Sequence, residues 1–176
     1  MKTNIALIGF MGAGKTAAGR LLAKKLGKKL VELDSLIELR AGKPIPDIFH
    51  EDGEAAFRRL EIEVTREVAG NRNQVIACGG GVVLNQINID RLKKGAMVVY
   101  LIASPEVILQ RVSDDSSVRP LLENSNKALN IRELLKFRQP LYERAADIMI
   151  DTSGLDIETV AEQIIAGLEE YEGSNR

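Results

Sequence analysis

The chain has 176 residues, of which 45% are hydrophobic and 28% are charged, and its formal net charge at pH 7 is −1. This composition is typical of one globular domain over residues 1–176, and the balanced charge argues against nucleic acid or a membrane as a partner. The single cysteine excludes an internal disulfide. The single cysteine and the lack of an apolar run of membrane-spanning length together predict a cytoplasmic protein.

Short apolar runs recur along the chain and are typical of strands. The predicted strands are 4–10, 29–33, 74–78, 96–103 and 147–151. The longest of them, "AMVVYLIA", contains no polar residue, as expected for a strand that is covered on both faces.

Stretches with helical periodicity separate these strands. The predicted helices are 15–27, 34–42, about 52–70, 104–112, a helix that ends near 146, and 156–171. Ser104 is expected to cap its helix, with Pro105 in the first position. Alternation of strands and helices predicts an α/β fold, an open and mostly parallel sheet with helices on both faces.

Residues 9–16, "GFMGAGKT", match the phosphate-loop pattern G-x-x-x-x-G-K-[ST] between a predicted strand and a predicted helix. In such a loop the backbone N–H groups of residues 12–16 point at phosphate oxygens, where the dipole of the following helix also favours an anion. Lys15 would reach the outer phosphates and the Thr16 hydroxyl group would bind Mg²⁺. The loop therefore predicts a site for a nucleoside triphosphate.

Three consecutive glycines, residues 79–81, follow the third predicted strand. Each glycine in a regular element costs about 0.5–1 kcal/mol relative to alanine, and a turn needs only one or two. The run therefore indicates that something approaches the backbone closely. Because ligands of open parallel sheets bind at the carboxyl ends of the strands, the glycines and the phosphate loop are expected on one edge.

The order of the motifs resembles that of shikimate kinases over essentially the whole chain. The matching segments are "GFMGAGKT" at 9–16, "ELD" at 32–34, "FHEDGEAAFRRLE" at 49–61, "GGG" at 79–81, "RPL" at 119–121 and "RQPLY" at 138–142. The resemblance implies a five-stranded parallel sheet of the nucleoside monophosphate kinase type. It also implies substrate-binding helices at about 34–70 and a lid at about 113–126.

The activity implied by this resemblance is transfer of a phosphoryl group from ATP, with Mg²⁺, to the 3-hydroxyl group of shikimate. The implied substrate-binding residues are Asp34, Arg58, Gly79, Gly80, Gly81 and Arg138. The implied nucleotide-binding residues are Gly12, Ala13, Gly14, Lys15, Thr16, Ala17, Arg111 and Arg119. The implied metal-binding residues are Thr16 and Glu32. We expect a monomer.

Within this set, Lys15, Asp34 and Arg119 are the implied catalytic residues. Asp34 would orient or deprotonate the attacking hydroxyl group, and Arg119 would reach the ATP phosphates from the lid. Arg58 and Arg138 would bind the substrate carboxylate, for which the planar guanidinium is suited.

Further expectations concern the surroundings of these residues. Glu61 would hold Arg58, and Arg111 would stack on adenine beside the loop 152–156. The glycines would let the substrate ring lie against bare backbone, with an N–H donated by Gly80.

Two positions depart from the pattern of the family. Glu32 stands where the family has aspartate, and Ala77 stands where many members have serine. Both differences are expected to alter the surroundings of the metal and to leave the substrate residues intact.

Alternatives to this interpretation are a kinase for a related hydroxy acid and a non-catalytic sensing domain. Quinate shares the carboxylate and ring hydroxyl groups of shikimate, whereas gluconate kinases are not expected to combine the arginine, glycine and "RQPLY" motifs. A sensor that regulates transcription would need a DNA-binding region, for which 176 residues leave no room.

Overall fold

A sheet of five parallel strands forms the centre of the fold in a computed structural model that describes residues 2–114 and 126–174. The strands are β1 (Asn4–Ile8), β2 (Lys29–Glu32), β3 (Gln74–Ala77), β4 (Ala96–Ile102) and β5 (Ile148–Asp151). Their spatial order is β2-β3-β1-β4-β5. All five predicted strands are confirmed, each shorter than predicted by one to two residues.

Helices connect the strands, and most of them were predicted. They are α1 (Lys15–Leu26), α2 (Leu33–Ala41), α3 (Ile45–Asp47), α4 (Glu54–Ala69), α5 (Gln86–Gly95), α6 (Pro105–Asp114), α7 (Lys127–Ala145) and α8 (Ile157–Ser174). A π-helical turn at Ile48–Asp52 and a 3₁₀ turn at Val82–Leu84 complete the described elements. The short helix α3, the helix α5 and both turns were not predicted.

Local sequence explains where two of the helices begin and end. Gly27 adopts the left-handed conformation, φ 62°, and its N–H closes the last turn of α1 on the carbonyl of Ala23. At the start of α6, the Ser104 hydroxyl group accepts a hydrogen bond of 3.3 Å from the N–H of Val107, which confirms the predicted cap.

The register of the sheet brings the ends of three strands to one edge. Leu7 of β1 and Glu32 of β2 both pair with Ala77 of β3. The phosphate loop, the carboxylates that follow β2 and the glycine run therefore leave the sheet side by side, as expected for an open parallel sheet.

Burial of the sheet on both faces supplies the hydrophobic core. Every residue of β1 and β3 is buried, and α1 packs against both β3 and α8. Among residues 2–114 and 126–174, every helix falls short of the length or apolarity that crossing a membrane requires.

The packing of α1 can be tested with two substitutions of the same type. Leu22 in α1 has no exposed surface, whereas Leu39 in α2 is 79% exposed. Because Leu22→Ala leaves a cavity beneath the sheet, we expect the free energy of unfolding to fall by about 2–5 kcal/mol. Leu39→Ala should change it by about 0.5 kcal/mol or less. Equal losses in urea titrations of the two variants would contradict this packing.

Candidate active site

The phosphate loop lies between β1 and α1 and is shaped by glycine. Gly9, Gly12 and Gly14 have φ values of 148°, 78° and 91°, which side chains strongly disfavour. The Lys15 ammonium group donates hydrogen bonds to the carbonyls of Gly9 and Phe10 at 2.8 and 2.9 Å. The loop therefore holds Lys15 on its own backbone, at the start of α1 where an anion is favoured.

A cavity of about 440 Å³ joins the phosphate loop to the acceptor side of the sheet edge. Lys15 and Thr16 line it on one side, and Asp34, Gly79 and Gly80 line it on the other. Arg58 and Arg138 are not among the lining residues of this cavity, and they lie beside the glycine run. The predicted catalytic pair Lys15 and Asp34 thus faces one common space.

Glu32 lies next to the phosphate loop at the end of β2. The Thr16 hydroxyl group donates a hydrogen bond of 3.0 Å to the Glu32 carboxylate, and both residues line the cavity. No group of three or more His, Cys, Asp or Glu residues suited to a metal occurs in the described parts of the chain. Any cation here would therefore depend on oxygen atoms from a ligand or from water as well.

A smaller cavity of about 220 Å³ lies on the other side of the loop. Its lining is mostly apolar and includes Gly14, Ala17, Arg111, Thr152 and Leu155. The Arg111 guanidinium donates a hydrogen bond of 3.0 Å to the carbonyl of Gly12, also in the phosphate loop. The structure thus brings together the two features predicted to surround adenine, Arg111 and the loop 152–156.

Charged side chains converge on the glycine run. A Cβ atom added to Gly79 would lie 2.8 Å from the Asp34 carboxylate and 3.3 Å from that of Glu61. A Cβ atom at Gly81 would lie within 2.6 Å of the guanidinium carbon of Arg58. Glycine is therefore required at Gly79 and Gly81 because other side chains of the protein occupy the space that a Cβ atom would take.

Gly80 differs from its two neighbours. The atoms nearest to an added Cβ are the backbone nitrogen of Met11 at 3.3 Å and a guanidinium nitrogen of Arg138 at 3.6 Å. Asp34 and Arg58 thus fill the space that Cβ atoms would take at Gly79 and Gly81. That a substrate ring lies against this backbone stays a prediction. The predicted N–H donated by Gly80 stays a prediction.

Arg58 is held by two carboxylates of its own helix, α4. It contacts Glu61 at 3.1 Å and Glu54 at 3.2 Å, three and four residues away. Glu61 is almost completely buried, and its predicted contact with Arg58 is confirmed. Burial raises the pKa of the Glu61 carboxyl. The positive charge of Arg58 opposes this increase, and the negative charge of nearby Asp34 reinforces it.

Arg138 on α7 is a buried cation. It is 3% exposed, its guanidinium lies over the Phe10 ring at 5.9 Å, and its Nε atom has no hydrogen-bond partner among the described residues. No carboxylate within residues 2–114 and 126–174 forms an ion pair with it at 4.0 Å or less. Because a buried charge without a counter-ion is unfavourable, this position is suited to an anionic ligand.

Cys78 lies within the described residues, whereas Arg119 does not. Cys78 is buried directly after β3, and burial raises the pKa of its thiol far above the ordinary value. Arg119, with most of the predicted lid at 113–126, lies outside the described residues.

Sequence comparisons identify the family. The family model of shikimate kinases matches residues 11–169. The chain belongs to the shikimate kinase family. A shikimate kinase of Thermodesulfovibrio yellowstonii is 49% identical over 169 residues, which are 96% of this chain and 95% of that protein. One from Dehalococcoides mccartyi is 42% identical over 99% of this chain and 98% of its own length.

Structural comparisons agree with this family. The shikimate kinase of Acinetobacter baumannii in complex with shikimate has a TM-score of 0.93 at 38% identity, covering 97% of this chain and 95% of its own. A gluconokinase from Sinorhizobium meliloti, at 15% identity and a TM-score of 0.61, covers 97% of this chain and 95% of its own and shares the fold alone. The predicted family, α/β fold and kinase class are therefore confirmed.

The burial of Glu61 predicts a pH-dependent contribution to stability. Because its pKa in the folded protein lies above the unfolded value of about 4.3, the folded state binds this proton more tightly. The Glu61 contribution to the free energy of unfolding therefore decreases as the pH rises above that value. Glu61→Gln removes this dependence, so the wild type should lose stability relative to the variant as the pH rises from about 4 to 7.

Urea unfolding across this pH range measures the difference. Glu63→Gln, an exposed position on the same helix, is the matched control and should follow the wild type. Parallel curves for Glu61→Gln and the wild type would show that the pKa of Glu61 is not raised.

Proposed function

We propose that this chain transfers the γ-phosphoryl group of ATP to the 3-hydroxyl group of shikimate, giving ADP and shikimate 3-phosphate. The observation that carries the proposal is Arg138, a buried guanidinium that lacks a carboxylate partner among the described residues and lies beside the glycine run. The carboxylate of shikimate is an anion of the kind that such a guanidinium binds through parallel hydrogen bonds.

The substrate site in this proposal consists of two arginines and one carboxylate. Arg138 and Arg58 bind the carboxylate of shikimate, and Asp34 accepts hydrogen bonds from its hydroxyl groups. Support comes from the glycine run, because these three side chains are among the groups nearest to the positions that Cβ atoms would take on Gly79, Gly80 and Gly81. Arg58 keeps Glu61 as its internal partner, which fixes its direction while Arg138 supplies the unneutralised charge.

The nucleotide site uses both cavities beside the phosphate loop. Residues 12–17 surround the phosphates, Lys15 binds the outer phosphates, and adenine occupies the apolar cavity at Arg111 and Leu155. On ATP binding, the Lys15 ammonium group would exchange the carbonyls of Gly9 and Phe10 for phosphate oxygens.

The residues beside the loop fit a magnesium ion. Mg²⁺ prefers oxygen ligands, keeps several waters and is commonly bound by one or two protein groups together with substrate phosphates. The Thr16 hydroxyl group and the Glu32 carboxylate, 3.0 Å apart, are such groups. Bound Mg²⁺ would neutralise charge on the phosphates. The role of Ala77, which lines the same cavity, is limited to leaving space.

Among the described residues, Asp34 and Lys15 are the ones that act directly in phosphoryl transfer. Phosphoryl transfer requires chiefly positioning and neutralisation of charge, with little covalent participation by the protein. Asp34 orients the attacking hydroxyl group and accepts its proton, and Lys15 stabilises negative charge on the transferred group. We assign Arg119 to the same charge stabilisation on the basis of its "RPL" motif alone.

The alternatives differ in what the site would bind. Quinate carries the same carboxylate and would satisfy the same arginines, so it is the closer competitor, whereas a sensor would bind shikimate without turnover.

We place the enzyme in the cytoplasm as a monomer; the single unpaired Cys78 supports a reducing compartment.

The direct test is an ADP-release assay that offers shikimate, quinate and gluconate in parallel to the purified protein with ATP and Mg²⁺. We expect turnover to favour shikimate. Arg138→Ala should lower kcat/KM for shikimate by about 100-fold because two charge-assisted hydrogen bonds are lost. Arg144→Ala, at an exposed position in the last turn of the same helix, is the control and should leave it unchanged. Preference for another acid would overturn the proposal.

The glycine run supplies a steric test of the same site. Gly81→Ala places a methyl group against the Arg58 guanidinium, and we expect the KM for shikimate to rise at least about 10-fold as that side chain is displaced. Gly80→Ala meets no atom closer than 3.3 Å and should be milder.

Gly173→Ala in α8, with no neighbour within 4 Å, is the control for the substitution itself. Steady-state kinetics with shikimate and ATP varied separately would separate the two substrates. A larger increase in the KM for shikimate at Gly80 than at Gly81 would indicate instead that the glycines are needed for direct contact with the substrate.

A further inference from the structure

We propose that the hydroxyl group of Tyr142 is a positioning group for substrate binding, because it holds both the Arg138 guanidinium and the backbone of the glycine run. The inference rests on the proposed function, since the property it controls is the binding of the shikimate carboxylate. Tyr142 does not face the cavity that contains Lys15 and Asp34, so it acts through other residues.

The ring of Tyr142 is fixed by packing. Tyr142 has no exposed surface, and its ring stacks on that of Tyr100 in β4 with centroids 5.0 Å apart and an angle of 26° between the planes. Because buried side chains at interior packing density keep one rotamer, the hydroxyl group is presented at one place. That place is next to the carbonyl group of Gly80.

The hydroxyl group donates a hydrogen bond to the carbonyl of Gly80. A phenol has one hydrogen to donate, so its remaining capacity is that of an acceptor. The Gly80 carbonyl belongs to the peptide that ends at the nitrogen of Gly81, directly beneath Arg58. Tyr142 therefore fixes the peptide plane on which the Arg58 guanidinium rests.

Arg138 lies beside the same glycine that accepts this hydrogen bond, with a guanidinium nitrogen 3.6 Å from the position of a Cβ atom added to Gly80. Arg138 and Tyr142 are four residues apart on α7 and lie on one face of it. Burial raises the pKa of Tyr142, and the nearby Arg138 guanidinium opposes that increase. Among the described residues no carboxylate forms an ion pair with Arg138. Its orientation therefore depends on weaker neighbours, which include the Phe10 ring and this hydroxyl group.

A purely structural role for the hydroxyl group makes a different prediction, and Tyr100 supplies the comparison. Tyr100 is 2% exposed and belongs to the same stacked pair, but its hydroxyl group has no hydrogen-bond partner in the described part of the chain. Tyr100→Phe and Tyr142→Phe therefore remove the same atom from the same aromatic pair, but only Tyr142→Phe also removes the hydrogen bond to Gly80.

The experiment is a comparison of these two variants with the wild type in the shikimate assay. For Tyr142→Phe we expect the KM for shikimate to rise about 10-fold, with the KM for ATP unchanged. Tyr100→Phe should leave both constants at wild-type values. Equal shikimate KM values in all three proteins, or a parallel rise in both KM values for Tyr142→Phe, would overturn the inference.

A double-mutant cycle shows whether Tyr142 acts through Arg138. In the Arg138→Ala background, Tyr142→Phe should change the KM for shikimate by no more than about 2-fold. An undiminished 10-fold effect would overturn the part of the inference that concerns Arg138. A wild-type protein that does not phosphorylate shikimate would overturn the proposed function, whereas an active wild type with a silent Tyr142→Phe would overturn this inference alone.

Discussion

The absence of side chains at three consecutive positions is the constraint on which the rest of the site depends. Asp34 and Glu61 contact the space above Gly79, and Arg58 fills the space above Gly81. A charged group inside a protein is tolerated when its partners are close and well directed. Backbone without Cβ atoms lets these groups approach to hydrogen-bonding distance, so the glycine run allows the charge cluster to form.

The balance of charge within this cluster determines what it can bind. Glu61 neutralises Arg58 inside the protein, with help from the more exposed Glu54. Arg138 has no such partner among the described residues and keeps its charge at 3% exposure. Arg138 is therefore a cation without an ion-pair partner among the described residues, and the Asp34 carboxylate faces the cavity. This arrangement favours a ligand that carries both an anionic group and hydroxyl groups.

The phosphate loop and the strands could be predicted from sequence because their signals are local. A fixed pattern at residues 9–16 and uninterrupted apolar runs suffice for both. The helix at 86–95 was missed because its 10 residues include few apolar ones, namely Ile87, Ile89 and Leu92. The crowding around the glycines was not predicted, because it depends on Asp34 and Arg58, which are 45 and 23 residues before Gly79 and Gly81.

The pairing of the strands explains why separate motifs form one site. Leu7 and Glu32 pair with Ala77, so the loop after β1, Asp34 after β2 and the glycines after β3 leave the sheet together. Backbone hydrogen bonds thus fix the distance between the phosphate side and the acceptor side. Arg58 and Arg138 come from helices and reach the glycine run at the same edge. Under the proposed function, the sheet sets where the phosphoryl group travels, and the helices determine which acid is held there to receive it.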